Sequence, residues 1–212
     1  MNAEIISVGT ELLLGQVVNT DTAIVARALS ALGINLLYSA VVGDNAERLK
    51  TAVETAITRS DLLIMTGGLG PTADDLTKET TAAAAGRKLK LHEDSLRRIQ
   101  TYFNEKHVSE NQEKQAWLPE GCTVLQNDNG TAPGCAFQAE NGCTVIMLPG
   151  PPSELAPMLE NYAVPYLKKS VNSVIVSHNV HIYGRGEAPV AQMMDDLMAV
   201  SYTHLRAHET RG

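Results

Sequence analysis

Asp61-Leu62-Leu63-Ile64-Met65-Thr66-Gly67-Gly68-Leu69-Gly70-Pro71-Thr72-Ala73-Asp74-Asp75-Leu76-Thr77 is the stretch on which the fold turns. Asp61 to Met65 reads as a short strand with no polar alternation through Leu62, Leu63, Ile64 and Met65. A strand that is apolar on both faces belongs in a parallel sheet covered by helices on either side. Three glycines follow within five residues, and a helix is predicted from Leu76 to Ala85, ended by Gly86. A strand running through a Gly-rich loop into a helix is where open α/β sheets hold their ligands.

Upstream, the same alternation repeats. Ala3 to Val8 is an apolar strand ending at Gly9. Thr20 or Asp21 can cap a helix whose Val25, Leu29 and Leu32 recur at i, i+4, i+7, and Gly33 stops it. Ile34 to Val42 is a second strand, closed by Gly43. Asp44 or Asn45 opens a helix carrying Leu49, Val53, Ala56 and Ile57 on one face. These elements predict an α/β fold of three layers: a mostly parallel sheet with helices on both faces.

Downstream, His92 to Lys106 is predicted helical with Leu96, Ile99 and Phe103 inward. Cys135–Glu140 and Cys143–Leu148 flank Asn141-Gly142, the signal of a type I′ hairpin that adds an antiparallel piece. Ser153 begins a last helix ending near Lys168-Lys169, with Pro157 in its first turns. Residues 1–169 thus form the main domain. Val171 to Tyr183 reads as a strand, Gly184-Arg185-Gly186 as a turn and Pro189 to Met198 as a helix. Residues 170–200 are read as the start of a small second unit with too few elements to close a core. Residues 201–212 resemble a spurious translated adapter sequence, or else a polar tail. His204 and His208 there are not read as a metal site.

Composition narrows the function classes. The chain has 212 residues, 44% hydrophobic and 19% charged, as in an ordinary globular protein. The net charge of −7 argues against a nucleic-acid groove. It leaves an anionic ligand open, since backbone N–H groups bind phosphate without basic side chains. Cys122, Cys135 and Cys143 have no CxxC spacing and read as small apolar residues. No apolar run reaches bilayer length, and no signal peptide opens the chain, so no membrane partner and a cytoplasmic location are expected.

Gly67, Gly68 and Gly70 let backbone N–H groups turn towards an anion without Cβ collisions. Asp74 and Asp75 would repel a bare phosphate, a conflict resolved by a divalent cation, Mg²⁺ or a similar ion, between carboxylate and phosphate oxygens. The alternative is a capping box from Thr72 to Asp75, which accounts for one aspartate and none of the glycines. The loop is neither a Walker loop nor GxGxxG.

Four more segments lie near strand ends or helix starts. Gly9-Thr10-Glu11 follows the first strand: Thr10 can donate to phosphate and Glu11 can reach a metal, though a simple strand-ending turn is equally consistent. Asn19-Thr20-Asp21 fits a helix cap. Asn129 to Gly134, with Thr131, is a rigid loop or a structural turn. In Pro149 to Glu154, Ser153 can cap a helix or bind phosphate. His178 and His181 fall on opposite strand faces, Trp117 is read as core, and Lys114 and Gln115 lie where they could reach a ligand.

Taken together, Gly9-Thr10-Glu11-Leu12-Leu13-Leu14-Gly15, the loop Gly67 to Asp75, Asn129 to Gly134 and Leu148 to Glu154 resemble the amino-terminal part of the competence/damage-inducible CinA family over residues 3–199. Its first domain is similar to the MoaB/Mog molybdopterin-binding fold, whose loop has Gly-Gly-Thr-Gly and one following Asp. Gly-Gly-Leu-Gly and two aspartates favour CinA. The resemblance implies a divalent-metal-dependent pyrophosphatase acting on ADP-ribose, working as a homodimer, and a truncated KH-like unit at 170–200. Asp74 and Asp75 would be catalytic and, with Glu11, metal ligands. Gly67, Gly68, Gly70 and Thr72, with Thr10, Thr131 and Ser153, would bind substrate. A nicotinamide mononucleotide amidase domain, frequent in longer relatives, is not expected here. The rival readings are a non-hydrolytic molybdopterin-type binding module and an inactive fragment.

Overall fold

In the computed structural model, residues 1–170 and 182–194 are described. The first half contains β1 (Asn2–Val8), a single turn α1 (Thr10–Leu13), α2 (Asp21–Ala31), β2 (Asn35–Val42), α3 (Ala46–Arg59), β3 (Leu62–Thr66) and α4 (Thr77–Ala84). A small excursion follows: β4 (Leu89–Leu91), α5 (Glu93–Phe103), α6 (Glu110–Lys114) and β5 (Trp117–Pro119). The chain then returns through β6 (Thr123–Leu125), β7 (Gly134–Gln138), β8 (Thr144–Leu148), α7 (Pro152–Met158) and α8 (Val164–Lys168).

The main sheet has the order β2-β1-β3-β8-β7-β6. The β1–β2, β1–β3 and β3–β8 pairs are parallel, and β7 is antiparallel to both β8 and β6. β3 is buried at every residue because both faces are covered. Leu62 and Ile64 join Val25 and Leu29 of α2 and Leu155 and Met158 of α7. Leu63 and Met65 join Leu49, Val53 and Ala56 of α3 on the other side. These are the three α/β layers that the alternating elements predict.

The differences from the sequence reading have local causes. β4 and β5 form a two-stranded antiparallel ribbon, invisible in the sequence because three residues carry no periodicity. Trp117 is 40% exposed on this ribbon rather than in the core. α5 stops at Phe103, where Asn104 takes φ 54°, so Phe103 is 38% exposed rather than inward. Asn104 serves as the left-handed cap that glycine commonly supplies. The hairpin between β7 and β8 is present, but Asn141 has no positive φ, so the turn is not type I′. Instead Ala139 N–H donates to Cys143 O at 2.8 Å, and Asn141 Nδ2 donates to Ile57 O at 2.6 Å, tying the turn to α3. α7 starts at Pro152 with no side-chain cap, so Ser153 does not cap it. A π-helical stretch, Leu159–Ala163, joins α7 to α8, next to Pro165, which lacks the N–H that a regular ladder needs.

The chain divides into two compact units, Met1–Ile175 and Val176–Gly212. In the second, α9 (Glu187–Met193) follows the Gly184-Arg185-Gly186 turn and starts two residues before the predicted Pro189; the last four residues of the predicted helix, 195–198, lie outside the described residues. Most of the predicted Val171–Tyr183 strand, His178, His181 and the tail lie outside the described residues. Cys122, Cys135 and Cys143 are free, and no described helix is long and apolar enough to cross a membrane.

Burial sets the first expectation. Ile64→Ala, at the centre of β3, lowers unfolding free energy by about 2–5 kcal/mol. Leu37→Ala, on the exposed face of β2, changes it by under ~0.5 kcal/mol. Urea denaturation of the two variants measures both.

Candidate functional site

The carboxyl ends of β1, β3 and β8 open on one cavity of about 720 Å³. The Gly-rich loop lines it, and its glycines have no room for side chains. A Cβ on Gly67 (φ +87°) would stand 2.4 Å from Val8 O, and one on Gly68 (φ +67°) 2.2 Å from Thr77 Oγ1. Gly67 N–H donates to Leu148 O at 3.1 Å, extending the β3–β8 pairing by one bond, and Gly68 O accepts from Thr77 N–H at 3.2 Å. Gly67 N–H is therefore not available to a phosphate. The N–H groups of Gly68, Leu69 and Gly70 have no acceptor among the described residues. They are the free donors of the loop.

The acids divide. Asp75 lines the cavity; its Oδ2 accepts from Thr72 N–H at 2.9 Å and from Thr72 Oγ1 at 2.6 Å. Asp74 is outside the lining, and its Oδ1 also accepts from Thr72 Oγ1, which holds the carboxyl below its ordinary range. One hydroxyl hydrogen thus faces two carboxylates. The Asp75 bond to Thr72 N–H is half of the capping box raised as the alternative, but it closes a turn and not a helix, since α4 begins at Thr77. Glu11 lines the cavity from α1. Thr10 does not: its N–H donates to Asp44 Oδ2 at 2.9 Å and its Oγ1 accepts from Asp44 N–H at 3.1 Å. Thr131 lines the cavity, Thr72 and Ser153 do not, and Ser153 offers its carbonyl to Asn129 Nδ2 at 2.7 Å. Among the described residues, no group of three or more His, Cys, Asp or Glu side chains could hold a metal ion by itself.

Two lysines fix the loop from behind. Lys114 Nζ donates to Asp75 O at 2.6 Å and Thr72 O at 3.2 Å. Lys78, only 2% exposed, donates to Lys114 O at 2.7 Å and Gln115 O at 2.9 Å. Burial pushes its ammonium down to about 8. Lys114 is thus engaged with the loop backbone, whereas Gln115 does line the cavity. A third tie joins the opposite wall: Asn127 Nδ2 donates to Ala132 O at 2.9 Å and to Glu154 Oε2 at 2.6 Å.

Two features were not legible in sequence. Asp21, read as a helix cap, lines the cavity with a buried Oδ1 that has no hydrogen-bond partner, and burial pushes its carboxyl up to about 6. Tyr102 and Phe103 also line it, as an edge-to-face pair with centroids 5.3 Å apart. Sequence spacing placed neither, because both depend on how α2 and α5 pack around the loop.

Residues 4–169 match the family model described as a probable molybdopterin binding domain. The structure of the protein CinA, of unknown function, from Thermoplasma acidophilum is 35% identical with a TM-score of 0.72, over 80% of this chain and 97% of that one. The chain belongs to this family, in its CinA branch. A CinA-like protein of Desulfovibrio desulfuricans is 55% identical over 93% of the chain, and a putative competence-damage inducible protein of Acetivibrio thermocellus 51% identical over 93%. The chain spans about half of each, 46% and 48% of their lengths. The molybdopterin biosynthesis Mog protein from Mycobacterium ulcerans, 23% identical over 80% of this chain and 98% of that one with a TM-score of 0.53, shares the fold.

Two outcomes test the site's construction. Gly142→Ala, with open space around it, costs about 1–2 kcal/mol from its left-handed backbone. Gly67→Ala, which must also displace Val8 O, costs ~3 kcal/mol or more; chemical denaturation compares them. Asp21 has a folded-state pKa above its unfolded value, so its contribution favours folding at low pH and is lost as pH rises through about 6. Asp21→Asn therefore raises the melting temperature at pH 7.5, with the gain vanishing near pH 4.

Proposed function

We propose that this cavity holds a nucleotide pyrophosphate, ADP-ribose, together with a divalent cation, and hydrolyses the phosphoanhydride to AMP and ribose 5-phosphate. The observation that carries the reading is the Gly-rich loop with three free N–H donors, Gly68, Leu69 and Gly70, beside the Asp75 carboxylate in one cavity. The donors suit phosphate oxygens. The carboxylate suits a cation that neutralises them.

The donor set fits such an ion in one form only. Asp75 and Asp74 compete for a single Thr72 hydroxyl, which leaves hard carboxylate oxygens under-supplied with donors. There is no three-acid cage among the described residues. That is the pattern of Mg²⁺, held by one or two carboxylates and completed by substrate phosphates and water. Asp75, with Asp74 joined to it through the Thr72 hydroxyl, would hold it, and Glu11 lines the same cavity. Bound there, the ion supplies charge neutralisation and Lewis-acid polarisation of the anhydride. The chain's own part is positional. Gly68 to Gly70 orient the pyrophosphate, Lys114 keeps the Asp75 turn in place through two carbonyls, and Thr131 offers a hydroxyl from the facing wall.

A second reading is a binding module without hydrolysis, favoured by the family model's own description as a probable molybdopterin binding domain. The same donors would then hold a pterin phosphate.

The experiment is AMP release from ADP-ribose, assayed with several divalent ions. Wild-type protein turns over only with the ion present. Asp75→Asn lowers turnover by about 10²-fold or more, as loss of a group stabilising transition-state charge does, and Asp74→Ala also abolishes it while melting normally. Wild-type rates in both variants would remove the acids from the metal's role. Tight pterin-phosphate binding without AMP release would select the second reading.

A further inference from the structure

The three residues that open α4 act on both halves of the loop. Thr77 N–H holds the first half, donating to Gly68 O at 3.2 Å. The next two side chains act on the second half through residue 114. Lys78 Nζ donates to Lys114 O at 2.7 Å and to Gln115 O at 2.9 Å. Glu79 Oε1 lies 3.7 Å from Lys114 Nζ. One turn of helix thus holds Lys114 at its backbone and at its ammonium. That ammonium in turn donates to Asp75 O at 2.6 Å and to Thr72 O at 3.2 Å. The path closes on itself, from loop to helix to residue 114 and back to the loop.

Lys78 is the member of this path that packing alone does not explain. It is 2% exposed and does not line the cavity. A buried ammonium is unfavourable unless acceptors compensate it, and an apolar side chain of similar length would fill the same space without that penalty. Burial works against its charge, and the carboxylates of Glu79 and Asp75 favour it. What the ammonium adds over an apolar side chain is its hold on the carbonyls of 114 and 115.

We infer that Lys78 is a positioning residue of the loop: acting through Lys114, it fixes the Thr72–Asp75 turn and so the place of the Asp75 carboxylate in the cavity. Its removal frees residue 114 to shift, and the two ties on the turn loosen with it. The pairing at Gly67 is left alone, because Gly67 N–H is bonded to Leu148 O. The inference deepens the reading of the cavity as a cation and pyrophosphate site, and rests on that reading only for what Asp75 holds.

The test is amide hydrogen exchange in the full chain, followed by NMR at three sites. Thr72 N–H is bonded to Asp75 Oδ2 and Asp75 N–H to Thr72 O, so both report the turn, while Gly67 N–H reports the sheet end. Lys78→Met keeps the unbranched shape and removes the donors. It speeds exchange at Thr72 and Asp75 by about tenfold and leaves Gly67 within about twofold. Lys114→Met gives the same pattern, and the double variant exchanges no faster than either single one, as expected of two links in one chain. Should Lys78→Met not fold, Lys114→Met decides, because it leaves Lys78 on its two carbonyls and cuts only the tie to the loop. Unchanged Thr72 and Asp75 exchange, equal acceleration at all three amides, or additive effects in the double variant would each overturn the role. In the hydrolysis assay, Lys78→Met needs several-fold more Mg²⁺ for half-maximal AMP release. Selective loosening of the turn in a protein that releases no AMP from ADP-ribose would keep the positioning role and discard the hydrolysis. AMP release by a protein whose turn is indifferent to Lys78 would do the reverse.

Discussion

The chain leaving β3 passes so close to β1 and β8 that Gly67 has no room for a side chain, its Cβ standing 2.4 Å from Val8 O. A Cβ on Gly150 would lie 3.3 Å from Gly67 Cα, and the Gly67 N–H bond to Leu148 O seals the contact. From that pinch the loop has one way to go. It turns through left-handed backbone at Gly67 and Gly68, rests on Thr77, and leaves the next N–H groups without an acceptor among the described residues. The free donors at Gly68 to Gly70 follow from the bond taken at Gly67. Sheet pairing decides which backbone groups are left for a ligand.

The polar side chains around the loop serve mainly to hold it. Thr72 and Asp75 close the turn after the glycines, Lys114 reaches the carbonyls of both, and Lys78 anchors the segment from which Lys114 comes. A buried ammonium is costly to desolvate, and two carbonyl acceptors offset that cost here. A second buried charge, on the interior strand β1, is treated similarly. Glu4 on β1 is met by Arg59 Nε at 2.8 Å and Nη2 at 2.7 Å, with the guanidinium lying 3.8 Å over the Tyr38 ring. Stacked and forked, Arg59 uses both properties that set arginine apart from lysine.

Much of the frame was legible because it is written in period and punctuation. Val25 and Leu29 on α2, Leu49, Val53 and Ala56 on α3, and the unbroken apolar run of β3 each announce a buried face. The loop announced itself by its glycines. What stayed hidden depends on partners far away in the chain. That Gly67 has no N–H to give follows from Leu148, and that Thr10 is engaged follows from Asp44. Asp21 looked like a cap because an acid at a helix start usually is one, and only the packing of the cavity shows its unpartnered oxygen. The β4–β5 ribbon was lost for want of length, and with it the position of Trp117.

That ribbon places the chain's single indole two residues beyond Gln115, half open to water, with its Nε1 towards Glu113 Oε1 at 3.4 Å. Tryptophan emission responds to the polarity around the ring, so this protein carries an optical probe of its own. Any event that shifts the segment from α6 to β5 would register in its fluorescence, without a label and without disturbing the pocket.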